Sequence, residues 1–119
     1  MKWQINKNRP IVPQLHAQIC VKITLGEYAA EERIPSIREL AVEVGVTPNT
    51  VQRAFEMLEQ QSIIYSIKGI GYFVSKNTDA AKVEVEKIKL QKAQEYYSAM
   101  AALGISVSEA KEFIGGITI

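Results

Sequence analysis

Residues 33–53, RIPSIRELAVEVGVTPNTVQR, carry start and stop signals for two short helices and leave little room between them. Ser36 can cap the first helix, and Glu39 three residues later completes a capping box. Ile37, Leu40, Ala41 and Val44 recur at helical spacing and make one apolar face. Gly45 supplies the left-handed residue that closes the helix. Val46 fills the turn. Thr47 caps the second helix, and Pro48 takes its first position, where a missing N–H is harmless. Val51, Ala54, Phe55 and Leu58 follow at i, i+3, i+4 and i+7, a stripe that needs burial. Asn49, Thr50, Gln52, Arg53 and Glu56 are left facing outward. Helices joined this tightly make a helix-turn-helix, whose second helix suits a DNA major groove. Outward groups that donate and accept hydrogen bonds can read base edges. The competing reading is an ordinary helical hairpin with a wet outer face.

The next stretch separates the two. SIIYSIKGIGYFVSK holds two β-rich runs, residues 63–66 and 72–75, around Lys68-Gly69-Ile70-Gly71, so it reads as a β-hairpin. A helix-turn-helix followed at once by a hairpin is a winged helix. PSIRELAVEVGVTPNTVQRAFEMLEQQ followed by IIYSIKGIGYFV resembles the DNA-binding domain of GntR-type bacterial transcriptional regulators. No single motif is specific; their joint order is.

The fold class expected is mainly α with a small β-wing. Residues 1–77 form the winged helix-turn-helix domain, and residues 78–119 a C-terminal helical dimerisation segment. With 119 residues, 47% hydrophobic and 23% charged, the chain suits one globular domain plus an appendage. No run reaches the roughly 18 apolar residues of a membrane helix. MKWQINKNRP lacks the apolar core of a signal peptide, so a cytoplasmic location is expected. The net charge of +1 does not by itself announce a nucleic-acid binder. Residues 1–77 hold nine Lys/Arg against seven Asp/Glu, and residues 78–119 five against six. A basic face must therefore come from local placement, with Lys7, Arg9, Arg38, Arg53, Lys68 and Lys76 as candidates.

Residues 1–9 read as an extended lead in which Trp3 and Ile5 either add a short strand or pack on the core. A helix runs from Pro10–Pro13 to about Leu25, stopped by Gly26, with Leu15, Ile19 and Ile23 on one face. His16 and Cys20, four apart, could present two metal ligands. No further Cys or His completes a site, so neither metal nor cofactor is expected. Cys20 reads as a small buried apolar group. Residues 27–35 form a connector, and Pro35 keeps Ile34 extended.

Residues 79–104 lack proline and interior glycine and read as a long helix ended by Gly104. Val83, Leu90 and Tyr97 repeat every seven residues. Ala93 and Met100 supply partner positions, and Glu86 interrupts the first heptad. Such a seam is covered by this chain or by another, and a subunit interface is the favoured reading. Ser106 or Ser108 caps a last helix with Val107, Ala110, Phe113 and Ile114 inward. Gly115-Gly116 ends it, and the terminal Ile-Thr-Ile is free to pack on a partner.

The resemblance implies more. A tail this short is similar to the YtrA-like branch of the family, which implies a homodimer on palindromic double-stranded operator DNA. It also implies repression, with a transporter operon as target. Arg38 matches an arginine that grips backbone and base edge. Thr47, Asn49 and Thr50 match polar positions at the start of the recognition helix, beside Ser36 and Pro48. Pro48 itself replaces a basic residue of some relatives. Gln52 stands where some relatives carry a base-reading arginine, and glutamine favours adenine. Arg53 matches a phosphate contact, and Lys68 and Gly69 match the wing tip at the minor groove. Ile67 and Ile70 replace wing arginines. Ile70 is either a minor-groove wedge or, the favoured reading, a plain hairpin residue. Glu31 and Ser62 stand where the family carries glycine, and a left-handed serine costs on the order of 1 kcal/mol. A small-molecule effector is implied too, with Tyr96, Tyr97 and Met100 near its place, although no residues mark a pocket. The alternative function is a winged helix that binds protein and no DNA. A catalytic cluster is not discernible.

Overall fold

The computed structural model describes residues 2–118. Its elements are α1 (Ile11–Thr24), α2 (Ile37–Val44), α3 (Pro48–Gln60), β1 (Ile64–Ile67), β2 (Gly71–Val74), α4 (Asp79–Ala102) and α5 (Val107–Gly116). The chain divides into two compact units, Met1–Val85 and Glu86–Ile119.

The first unit is built on α3, which packs against both α1 and α2. Its inner stripe of Val51, Ala54, Phe55 and Leu58 is fully buried, together with Leu15 and Ile19 of α1 and Leu40 of α2. Ile63, Ile64 and Val74 close the core from the hairpin side. Cys20 lies fully buried in it. Burial, and then the negative charge of Glu84, pushes its thiol up to about 12, so it stays protonated and inert. Ala81 is buried in the same cluster and Ala80 and Val85 pack on it, so the first turns of α4 belong to this unit.

The described residues of the lead before α1 form no strand; Trp3 packs on the core. Its indole N–H donates to Glu43 Oε2 at 2.7 Å, and Gln4 and Gln18 exchange two hydrogen bonds. Lys22 is nearly buried, with its ammonium 4.6 Å from the Trp3 ring centre and 5.5 Å from that of Tyr28. Glu27 accepts from it at 3.3 Å, so the buried charge is paired.

The wing pairs β1 and β2 antiparallel in the register Ile64↔Val74 to Ile67↔Gly71. The connector of residues 27–35 is in part a third edge. Arg33 bridges Phe73, Ile34 N–H donates to Tyr72 O at 3.0 Å, and Val74 N–H donates to Glu32 O at 2.9 Å. This edge ties the segment before α2 to the strand after α3. Glu31 and Ser62 are left-handed, with φ of 64° and 61°. Both sit where a short segment reverses. Ser62 follows the end of α3, and Ile63 N–H then reaches back to Leu58 O at 2.9 Å.

The second unit is a helical hairpin of α4 from Glu86 onward and α5. Gly104, at φ 79°, closes α4, and Ile105 N–H donates to Met100 O at 3.0 Å. Ser106, of the two serines expected, is the cap: its Oγ accepts from Glu109 N–H at 3.2 Å. Tyr96 O–H donates to Ala110 O at 2.6 Å and pins the two helices together. Ala110 is buried here, but Val107, Phe113 and Ile114, expected inward, are exposed. A two-helix hairpin has one inner seam, and here it is only as deep as an alanine; the larger side chains flank it. α5 ends at Gly116, where the Gly115-Gly116 pair places its end, although neither glycine takes a left-handed φ. Of the terminal Ile-Thr-Ile, Ile119 lies outside the described residues. Among those described, no helix is long and apolar enough to cross a membrane.

Replacing Ser62 by glycine removes the strained φ and should raise stability by on the order of 1 kcal/mol. For a domain of this size that is a rise in Tm of roughly 4 °C, measured by circular dichroism. An unchanged Tm would mean that serine holds this φ without strain.

Candidate nucleic-acid interface

The site is assembled from the ends of α2 and α3 and the tip of the wing. Ser36 and Glu39 form the expected capping box: Ser36 Oγ accepts from Glu39 N–H, and Glu39 Oε1 accepts from Ser36 N–H, both at 3.1 Å. The bond from Ser36 N–H, and then the serine hydroxyl, holds the Glu39 carboxyl below its ordinary range. Gly45 ends α2 at φ 81°, and its carbonyl accepts from Lys7 Nζ at 2.9 Å. That places a cation from the lead at the negative end of α2. Lys7, a candidate for the basic face, is thus engaged in holding the turn.

Thr47 caps α3 through its Oγ1, which accepts from Thr50 N–H at 3.3 Å and lies 2.9 Å from Thr50 Oγ1. Pro48 is at the first helical position. Asn49, Gln52, Arg53 and Glu56 are exposed and Thr50 is half-buried, because the opposite stripe is consumed by the core. Arg38 is exposed near the start of α2. With Ala41, Val42, Val46 and Pro48 it lines a shallow apolar depression next to the turn. No carboxylate among the described residues pairs with Arg38 or Arg53. Both guanidinium groups are therefore available to an anion.

The wing is held to α3 at its root. The Tyr72 ring meets Phe55 edge-on at 4.7 Å, and Ser66 Oγ donates to Glu59 Oε2 at 3.2 Å. Lys68 and Gly69 lie in the turn closed by Ile70 N–H to Ile67 O at 2.9 Å, with Gly69 at φ 78°. Gly71 has a different duty. Its φ is 147°, and a Cβ there would come 2.9 Å from Arg33 Nε. The Arg33 side chain thus lies against Gly71 at the turn end of β2, a placement not visible from spacing because the contact joins residues far apart in sequence. Glu56 was legible only as an outward residue, yet its Oε1 accepts from Gln52 Nε2 at 3.3 Å.

Of the predicted interface seam, Val83 is exposed in the first unit. In the second, Leu90 and Ala93 are exposed and Tyr97 and Met100 half-buried. His16 and Cys20 gather no ligand set: among the described residues there is no group of three or more metal-ligating side chains. The His16 ring is instead hydrogen-bonded to Gln61 at the end of α3.

Two capped helices around a left-handed glycine, a polar outer face on the second and a hairpin rooted against it define a winged helix-turn-helix. The chain belongs to the gntR family of bacterial regulatory proteins, which its residues 12–74 match. It is 32% identical to the transcriptional repressor YtrA of Bacillus subtilis (strain 168) over 111 residues, 92% of this chain and 85% of that protein. A GntR family transcriptional regulator from Listeria monocytogenes superposes with a TM-score of 0.79 at 29% identity, covering 96% of this chain and all of that one. The DNA-binding domain of AraR, solved in complex with its operator ORX1, superposes with a TM-score of 0.56 at 26% identity. It covers 63% of this chain and 99% of the AraR domain. The chain is thus a transcriptional regulator by family, and it resembles YtrA over most of its length.

The lowered Glu39 pKa makes the capping box sensitive to acid. A carboxyl whose folded pKa is depressed contributes stability at neutral pH that is lost as pH falls below about 4.3. Glu39→Gln removes the titration but keeps an acceptor. Urea midpoints measured from pH 7 to pH 3 should show the parent losing its advantage over the variant as acid is added. A constant gap between the two would remove Glu39 from the acid response.

Proposed function

We propose that the chain is a dimeric, sequence-specific DNA-binding repressor that reads a palindromic operator. The observation that carries this is the exposed polar face of α3, flanked by two unpaired arginines and a wing with a glycine tip. Asn49 and Gln52 offer donors and acceptors to base edges, Gln52 with a preference for adenine. Thr47 and Thr50 set the start of the recognition helix, beside Pro48. Arg38 takes backbone and base edge, and Arg53 takes phosphate. Ser36, held in its capping box with Glu39, sits at the start of α2 where a phosphate would approach. Lys68 and Gly69 approach the minor groove, with Ile70 as a plain hairpin residue. The operator-bound AraR domain supports this docking mode by likeness of fold.

The dimer rests on the seam of Val83, Leu90, Ala93, Tyr97 and Met100, whose exposed members include two large apolar side chains. The division of labour is a DNA-binding domain over residues 1–77 and dimerisation over residues 78–119. A two-fold axis then sets the recognition helices one DNA turn apart, about 34–36 Å. Repression is supported by likeness to the repressor YtrA, and a transporter operon as target and a cytoplasmic location belong to the same proposal. A small-molecule effector acting near Tyr96, Tyr97 and Met100 belongs to the same reading.

Selecting bound duplexes from a random pool tests the whole. A palindrome with half-sites about 10 base pairs apart is expected. Arg53→Ala should weaken binding to every sequence and lower the salt slope by about 1, while Arg38→Ala should weaken binding and also relax preference at the base it touches. Gln52→Ala should relax preference at one base pair by about 1–3 kcal/mol. Selection of a single half-site would remove the dimer. If no duplex is enriched, the winged helix serves a protein partner instead.

A further inference from the structure

We infer that Glu56 is a positioning residue for base reading: it orients the Gln52 amide, so that the two side chains act as one specificity element. This rests on the DNA-binding reading of α3 and deepens it. Glu56 is the one acidic side chain among the outward positions from Asn49 to Glu56, on a face meant for a polyanion. An exposed carboxylate there repels phosphate and lowers affinity for all DNA. It is tolerable on such a face when it serves selectivity.

The geometry supplies that service. Gln52 and Glu56 are one helical turn apart, and Gln52 Nε2 donates to Glu56 Oε1 at 3.3 Å. An ionised carboxylate accepts and cannot donate, so the amide atom facing it is the nitrogen. The flipped amide would set oxygen against oxygen. Glu56 therefore spends one of the two amide N–H groups and fixes the orientation. The other N–H and Oε1 remain for the N7 acceptor and N6 donor of adenine. Without Glu56 both amide orientations become accessible, and the pattern offered to the base blurs.

The test uses the full chain, the selected operator and its variants at the base pair where Gln52→Ala relaxes preference. Glu56→Ala should tighten binding to all sequences, because an anion is lost. It should also cut discrimination at that one pair by about fivefold. In the Gln52→Ala background it should leave discrimination there unchanged. Glu56→Gln, neutral but still an acceptor, should tighten binding while keeping more of the discrimination than alanine does. Independently of DNA, the Gln52 side-chain amide resonances of the parent should shift as carboxylates are protonated, and Glu56→Gln should abolish that shift. Equal changes at all four base pairs would make Glu56 a bare charge and overturn the inference. A change at another base pair that persists without Gln52 would make it a reader in its own right, with the same consequence. If the parent binds no DNA but the amide shift is present, the pairing stands and the DNA reading falls.

Discussion

Burial of one side of α3 decides what its other side can do. Val51, Ala54, Phe55 and Leu58 are fully buried, and this fixes the rotation of the helix about its axis. Turning a helix by one residue moves its side chains by about 100°. Asn49, Gln52, Arg53 and Glu56 would then leave the outer face and the site would disappear. The core of the first unit thus specifies the interface geometrically, through a packing requirement in which no interface residue takes part. Phe55 serves twice, since the wing also leans on it through Tyr72.

The connections around that core are stiff for a different reason. Backbone hydrogen bonds from residues 31–34 to β2 tie the start of α2 to the wing, and Lys7 ties the lead to the turn between α2 and α3. Each link spans a long stretch of sequence and joins two parts of the same surface. Arg33 lying across Gly71 belongs to this set. Such links limit the relative motion of recognition helix and wing, and binding then costs less ordering entropy. Glu31 and Ser62 hold left-handed turns without glycine, so the chain accepts local strain to keep these reversals.

Local signals made much of this legible. The capping box at Ser36, the left-handed Gly45, the Thr47-Pro48 start and the apolar stripe of α3 each depend on residues within one or two turns, and each stands where the spacing puts it. The wing was legible as a hairpin for the same reason. What spacing could not supply were contacts between distant residues: the third edge at Arg33, Lys7 on Gly45 and Trp3 on Glu43. For α5 the periodicity is amphipathic, but a two-helix hairpin lacks an interior for its larger apolar side chains. The same limit applied to the interface. Exposure of Gln52 and Glu56 followed from the stripe opposite, whereas their hydrogen bond needed rotamers.

That absent interior bears on how the molecule can work. In the second unit Ala110 is the buried residue among those described, while Leu90, Leu103, Val107, Phe113 and Ile114 are exposed. So few buried atoms cannot offset the entropy of ordering two helices, by the same scaling that makes very small domains depend on partners. In the proposed dimer a second copy would supply a surface of matching chemistry for these exposed side chains. One recognition helix reaches only a few base pairs, with each mismatch costing about 1–3 kcal/mol. Pairing two such helices through their tails, as proposed above, would double the pattern read and make half-site spacing part of the signal. Within the proposed dimer the apolar tail and the polar face of α3 would be parts of one requirement, selectivity gained by pairing two small readers.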